Sequence, residues 1–305
     1  MTARLHDLST AGLRTFAEVV AAGTIEAAAG RLGITPSAVS QRLKALESRV
    51  GAALFQRTRP VRPTPTGEVV HRLARQYELA AHDAALALGD LEAERGLARV
   101  SLVVNSDALA TWMMAPLADV AVENHLLLEL LREDESHSAD YLRRGVAMAA
   151  VSSRPEPVQG CTVRPLGTWR YSPMAHPEFV RRWFGSGFTA EAAERAPIIQ
   201  FDEKDTYPLD YTFRRFGHHV TPPRHYVPDA TQYVIAIAHG LGWGMVPPHF
   251  LESLPALAHL VPLPAAEPFP VDLHWHQWAI SSPTLDAVAE AVVAAARENL
   301  RALQE

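Results

Sequence analysis

The sequence predicts an α+β multidomain chain with three parts in order: a winged helix-turn-helix over residues 1–65, a long linker helix over 66–96, and a two-lobed α/β domain over 97–305. Three observations carry that prediction. Residues 24–67 read as two short helices around a tight turn, then a basic, proline-bounded hairpin. Residues 66–94 carry a broad apolar stripe at helical spacing. From Arg99 onward, hydrophobic strand-like runs alternate with helical patterns. Charge divides the same way. Residues 1–66 hold 9 Lys+Arg against 4 Asp+Glu (+5), leaving 19 against 30 (−11) in the rest of a chain of net charge −6. A small basic head on an acidic body suits a polyanionic partner for the head alone.

In the head, STAGLRTFAEVVAA (9–22) places Leu13, Phe16, Val19 and Val20 on one helical face and stops at Gly23. Thr24 is an N-cap for a second helix, with Ala27, Ala28 and Leu32 on its apolar face before Gly33. Thr35 caps a third, and Pro36 takes its first position, where a missing N–H costs nothing. Ala38, Val39, Leu43 and Leu46 then face inward, while Ser37, Ser40, Gln41 and Lys44 face out. Two short helices joined by a Gly-containing turn form a helix-turn-helix, whose second helix fits the DNA major groove. Double-stranded DNA is the expected partner. Thr35, Ser37, Ser40 and Gln41 are assigned to the base-reading end, Arg42 and Lys44 to phosphates or guanine, and Arg57, Arg59 and Arg62 of the wing to the backbone.

These residues also carry a resemblance. The run AAAGRLGITPSAVSQRLKALESRVGAALFQRT (27–58) resembles, without a gap, the N-terminal domain of LysR-type transcriptional regulators. Where that family commonly has a Leu-Thr pair before the Gly of the linker helix, this chain has Arg62-Pro63-Thr64-Pro65-Thr66-Gly67. The wing RTRPVRPT (57–64) resembles the ArgP/LysG subgroup, which senses basic amino acids.

Thr66 is the expected cap of the linker helix, whose stripe includes Val69, Val70, Leu73, Tyr77, Leu79, Leu86 and Leu91. A helix on the order of 40 Å long cannot bury that stripe against the head alone, and a second copy would cover it. The resemblance implies the same: an antiparallel homodimer through this helix, assembling into a homotetramer and contacting RNA polymerase on activation.

In the body, RVSLVVNS, HLLLELLRE and VAMAAVSS read as strands separated by helices from about Ala108 and from Ser136. Strand–helix–strand spacing of this kind predicts right-handed crossovers and a parallel sheet, with ligands at the carboxyl ends of its strands. TVRPLGTWRYSP (162–173) is expected to cross to a second lobe containing APIIQFD, YPLDYTFRRFG, RHYVPD, ATQYVIAIAHG and WGMVPPHFL. VDLHWHQWAI returns, and a helix capped at Ser282-Pro283 covers the sheet. Lobe I is then about 97–167 and 275–305, and lobe II about 168–274. Two lobes joined by two crossing strands make a hinged, periplasmic-binding-protein-like effector domain, which is also what the resemblance implies.

NSDALATW (105–112), EDESHSADYLRRG (133–145), AVSS (150–153), FDEKD (201–205) and GLGWGMVPP (240–248) resemble the ArgP/LysG regulators, whose effectors are L-lysine and L-arginine. The residue chemistry suits such ligands. Ser106 and the N–H groups opening the next helix offer an anion site, supplemented by Ser152. Asp107, Glu133, Asp134, Asp202 and Asp205 are acceptors for the two cationic ends, and Trp112, Tyr207 and Trp243 are candidates to line the aliphatic stem. The expected function is a regulator that controls a neighbouring amino-acid exporter gene in response to this co-effector, with no other cofactor. The alternatives are a LysR-type regulator with a different small effector in an unrelated pathway, and a solute-binding or enzymatic clamp.

Composition limits the remaining classes. The N-terminus lacks an apolar signal region and no run approaches a membrane span, so a cytoplasmic protein without a membrane partner is expected. A single cysteine, Cys161, excludes an internal disulfide framework. His274 and His276 alternate on one strand, but no third ligand is spaced to complete a metal site. No nucleophile elbow, P-loop or dinucleotide fingerprint occurs, so no enzyme is expected.

Overall fold

The computed structural model describes residues 8–56, 58–89, 97–253, 257 and 259–301. In the head, α1 (Thr10–Ala22), α2 (Ile25–Leu32) and α3 (Pro36–Val50) share a core of Phe16, Val19, Ala28, Val39 and Leu46. Each starts on a hydroxyl: Ser9 Oγ accepts from Gly12 N, Thr24 Oγ1 from Ala27 N, and Thr35 Oγ1 from Ala38 N. These caps satisfy first-turn amides that the helix itself leaves unpaired. β1 (Phe55–Gln56) and β2 (Arg62–Pro63) pair antiparallel, Phe55 opposite Pro63, and form the wing.

The linker helix α4 (Pro65–Ala87) starts from Thr64 rather than the expected Thr66, because Thr64 Oγ1 accepts from Gly67 N at 3.0 Å and Pro65 occupies the first turn. It ends at Ala87, short of the expected Glu94, and residues 90–96 lie outside the described residues. One face of α4 enters the head core through Val70 and Ala74. Farther along, Leu79 joins the core of the large domain, and Asp83 accepts from the hydroxyls of Ser282 and Thr284. A separate stripe, Val69, Leu73 and Tyr77, recurs every four residues and stays exposed, Val69 by 67%.

In the large domain, β3 (Ala98–Val104) lies parallel between β4 (Leu126–Arg132) and β5 (Ala149–Ser152). The first crossover, α5, is three contiguous stretches: Ser106–Ala108, the π-helical Leu109–Met113, and Met114–Glu123. It begins earlier than expected because Asn105 Oδ1 caps Ala108 N at 3.2 Å. The second crossover, α6 (Ala139–Arg143), also differs at its start, since Ser136 hydrogen-bonds Asp134 in the preceding turn instead of capping the helix.

Two long strands, β6 (Cys161–Ala175) and β11 (Phe269–Trp278), run antiparallel through both lobes with a register shift between Leu273 and His274. β11 is also antiparallel to β5, so the sheet is mixed rather than all-parallel. Lobe II contains α7 (Pro177–Phe184), α8 (Ala190–Arg195), β7 (Ile198–Gln200), α9 (Tyr207–Phe216), β8 (Arg224–Tyr226), α10 (Ala230–Ala238), β9 (Gly244–Val246), α11 (Pro248–Ser253) and β10 (Val261–Pro262). The main sheet has the order β10–β6–β11–β5–β3–β4, with β9 also on β6, while β7 and β8 pair parallel apart from it. The last helix, α12 (Pro283–Asn299), covers lobe I with fully buried Leu285, Val288 and Val292. No described helix is long and apolar enough to cross a membrane.

Candidate functional site

The recognition face of the head is built by α3. Val39, Leu43 and Leu46 turn into the core, which leaves Ser37, Gln41 and Lys44 exposed and Ser40 half-buried on the opposite side. Thr35 spends its hydroxyl on the cap to Ala38 N. Arg42 is exposed but braced, with Nη1 donating to Thr15 Oγ1 of α1 at 3.3 Å. Arg59 and Arg62 are exposed on the wing, and Arg57 lies outside the described residues.

Between the lobes is a cavity of about 240 Å³, near the lower end of the range for small-molecule sites. The end of β3 and start of α5 bring Ser106 and Asp107 to it, the end of β4 brings Glu133 and Asp134, and the loop after β7 brings Asp202, Asp205 and Tyr207. Those seven are expected site residues, and the structure brings them together. Three others lie elsewhere. Trp112 packs edge-on to Trp169 in the core at 6.5 Å, and Trp243 is fully buried against Phe188 and Tyr211. Ser152 is also buried: its Oγ donates to Glu135 O at 3.0 Å, so the end of β5 props the acidic loop instead of facing the cavity.

Sequence reasoning passed over several lining residues. Glu135 and Asn105 sit inside the quoted EDES and NSDALATW motifs, and Arg132 and Phe201 immediately precede two of the expected groups. Tyr171 lies on crossing strand β6, where only the lobe geometry shows that its ring turns to the cleft. Tyr233 and Met245 complete the wall from α10 and β9.

The interior is unusually acidic for its burial. Asp107 Oδ2 accepts from Tyr171 OH at 2.8 Å, yet burial, with Asp134 nearby, raises its pKa to about 6. Asp205 accepts from Phe201 N at 2.8 Å and Tyr207 N at 3.1 Å, and burial still raises it to about 6. Glu135 accepts from Asn105 Nδ2 at 3.1 Å and from Tyr207 OH, while burial and Asp134 push it up to about 7. Burial and these carboxylates hold Tyr171 and Tyr207 well above the ordinary tyrosine range, so both remain hydroxyl donors. Asp202 serves its own turn, with Oδ1 accepting from Lys204 N and Asp205 N. At the mouth, Lys204 Nζ reaches Glu133 Oε1 across the cleft at 3.0 Å, and Arg132 stands over the Phe201 ring at 5.1 Å. Against a burial penalty, Lys204 and the donors Asp134 N and Tyr141 OH hold Glu133 below the usual carboxylate range. Three raised acids around one small space form a site whose charge a bound cation would neutralise.

Residues 11–68 match the bacterial regulatory helix-turn-helix protein, lysR family, and residues 93–301 match the LysR substrate binding domain. The chain is 39% identical over 284 residues to the HTH-type transcriptional regulator LysG of Mycobacterium tuberculosis, covering 93% of this chain and 92% of that one. It is 36% identical over 291 residues to the lysine export transcriptional regulatory protein LysG of Corynebacterium glutamicum, covering 95% and 98%. The crystal structure of ArgP from M. tuberculosis superposes with a TM-score of 0.84 at 38% identity, covering 96% of this chain and 98% of that one. Full-length C. glutamicum LysG with bound effector Arg gives 0.74 at 33% identity, covering 96% and 99%. With a helix-turn-helix head, a linker helix and a two-lobed clamp matched along nearly its whole length, the chain belongs to the LysR family of DNA-binding transcriptional regulators and is not an enzyme.

Proposed function

We propose that the cleft binds a basic amino acid, L-arginine or L-lysine, as co-effector, and that this controls transcription of a neighbouring exporter gene for the same amino acid. The observation that carries the reading is the set of buried, strained carboxylates Asp107, Asp205 and Glu135. A guanidinium or ammonium group placed among them gains charge-assisted hydrogen bonds where burial makes them strong. The α-carboxylate has its own donors: Arg132 at the mouth and the first-turn amides of α5, of which Ala108 N and Leu109 N already pair with Asn105. The names of the LysG relatives and the arginine in the C. glutamicum structure support the same ligand class.

Calorimetric titration with L-arginine tests this reading, and its pH dependence is specific. Below about pH 6 Asp107 and Asp205 are protonated, and they ionise as the pH rises through that value. Arginine affinity should therefore rise between pH 5 and pH 8, with protons released on binding and a heat that changes with buffer ionisation enthalpy. Stability of the free protein runs the other way. A carboxyl raised above its unfolded value stabilises the fold below the unfolded pKa, and that contribution is lost as the pH rises through the folded one. An arginine affinity that did not change with pH would contradict the acidic-site reading.

The exposed stripe Val69, Leu73 and Tyr77 supports a homodimer through α4, and the family architecture supports a homotetramer that engages RNA polymerase on activation. The chain acts in the cytoplasm, where its operator is. On that operator, Ser37, Ser40 and Gln41 read base edges while Lys44, Arg59 and Arg62 hold phosphates. Gln41→Ala should lose roughly 1–3 kcal/mol on the operator and relax sequence preference. Arg59→Ala should weaken operator and random duplex alike and flatten the salt dependence. Equal losses on both duplexes for Gln41→Ala would remove it from the base-reading set.

A further inference from the structure

Glu133 is held from two sides. Its Oε1 takes Lys204 Nζ from lobe II at 3.0 Å, and its Oε2 takes Tyr141 OH from α6 at 3.1 Å. The far end of α6 is gripped by the linker helix: Arg72 Nη2 donates to Leu142 O at 2.7 Å and also to Arg143 O. Next along, Arg144 Nε meets Glu68 Oε1 at 3.0 Å. Gly145, at φ +69°, presses on the same turn of α4, where a Cβ would stand 2.8 Å from Arg72 Cβ. On that turn His71 is tied to the Gly145 backbone and stands 6.4 Å from Phe16 of the head core. Bonds thus run from lobe II, through Glu133 and α6, to a helix turn built into the head.

We propose that α6 is the strut that passes closure of the effector cleft to the linker helix, with Tyr141 and Arg72 as its positioning residues at either end. The assignment rests on the effector reading for its trigger but not for its mechanics. Opening the cleft withdraws Lys204 with lobe II, and Glu133 then loses the partner that fixes its carboxylate. Tyr141 follows Glu133, and α6, barely more than one turn long, moves as a unit. The planar guanidinium of Arg72 on two successive carbonyls resists rotation about the contact, so α4 is carried along. The head follows, because Val70 and Ala74 of α4 are part of its core. An effector shifts DNA binding only through different affinities for the two arrangements, and a chain of contacts carries that coupling only if cutting a link changes it.

The test uses the full-length protein and a duplex containing its own upstream region. Tyr141→Phe and Arg72→Gln should leave the calorimetric Kd for L-arginine within about twofold, since neither lines the cavity, while the arginine-induced change in DNA affinity falls toward none; in the wild type such coupling is typically about 5–150-fold. A second measurement needs no effector. In a double-mutant cycle on DNA affinity between Lys204→Ala and Arg72→Gln, links of one strut should be non-additive by about threefold or more. A parallel cycle between Lys204→Ala and Tyr141→Phe guards against a folding defect peculiar to Arg72→Gln. Additive cycles, or variants that keep the full arginine response, would overturn the strut. Failure of the wild type to bind arginine would overturn only the effector reading, and the cycles would still decide the strut.

Discussion

The Asp107→Asn protein should melt several degrees above the wild type at pH 8 and bind L-arginine at least about 30-fold more weakly, a loss of about 2 kcal/mol at the lower end of the cost of breaking a buried charged pair. The stability gain follows from burial. Raising a carboxyl from 3.8 to about 6, a difference of 2.2, means that the ionised form strains the fold by about 3 kcal/mol at a pH well above both values. Asparagine keeps the shape and can still accept from Tyr171 OH, but carries no charge. At pH 5 the folded group is protonated but the unfolded one is still ionised, so roughly half of the difference should remain, and the two melting temperatures should converge only as the pH falls below the unfolded value of 3.8. Thermal melts across pH, paired with calorimetry, measure both effects. A variant no more stable than wild type at pH 8 would mean that Asp107 is not strained, and undiminished arginine binding would remove it from the site.

Gly67→Ala should have the largest effect on the head. An ideal Cβ at this position stands 2.1 Å from Leu54 O and 3.1 Å from Pro63 Cβ, in the corner where the wing enters α4. The nearest obstacle is backbone, so no side-chain rotation relieves it. Either the Thr64 cap or the β1–β2 pairing must give way, at about 3 kcal/mol or more, beyond the usual range for overpacking. Operator binding should be lost while arginine binding by the large domain survives, and calorimetry beside a gel shift separates the two. Intact operator binding would show that the corner can widen.

Several helix starts were legible where local chemistry was decisive. Thr24 and Thr35 are the caps their sequences suggest, and Pro36 occupies the first turn of α3. In PTPTG (63–67) two threonines compete to cap the linker helix, and the winner depends on tertiary contact. Thr64 prevails, its hydroxyl also donating to Ala53 O, while Gly67 passes Leu54. α7 and α8 are not legible in the sequence for a related reason. They are short, and α7 is held by Phe184, which meets Phe179 and Phe188 edge-on, contacts that no local pattern reveals. In the cleft, the strand-end rule located Asp107 and Glu133. It misplaced Ser152 because the loop carrying Glu135 folds over the end of β5. The rotation of Trp112 into the core and of Tyr171 into the cleft depends on π-helical winding and strand twist, which spacing alone does not encode.

The Lys204–Glu133 contact has a practical corollary, because the chain contains only one other lysine, Lys44 on α3. Acylation by an amine-reactive reagent therefore labels one side chain on the recognition helix and one at the cleft mouth. Glu133 raises the pKa of Lys204, so the closed cleft keeps this amine in its unreactive, protonated form. Opening should quicken its modification, whereas DNA should shield Lys44. The ratio of two peptide masses would then report, in a single unaltered protein, whether occupation of the operator and closure of the clamp occur together.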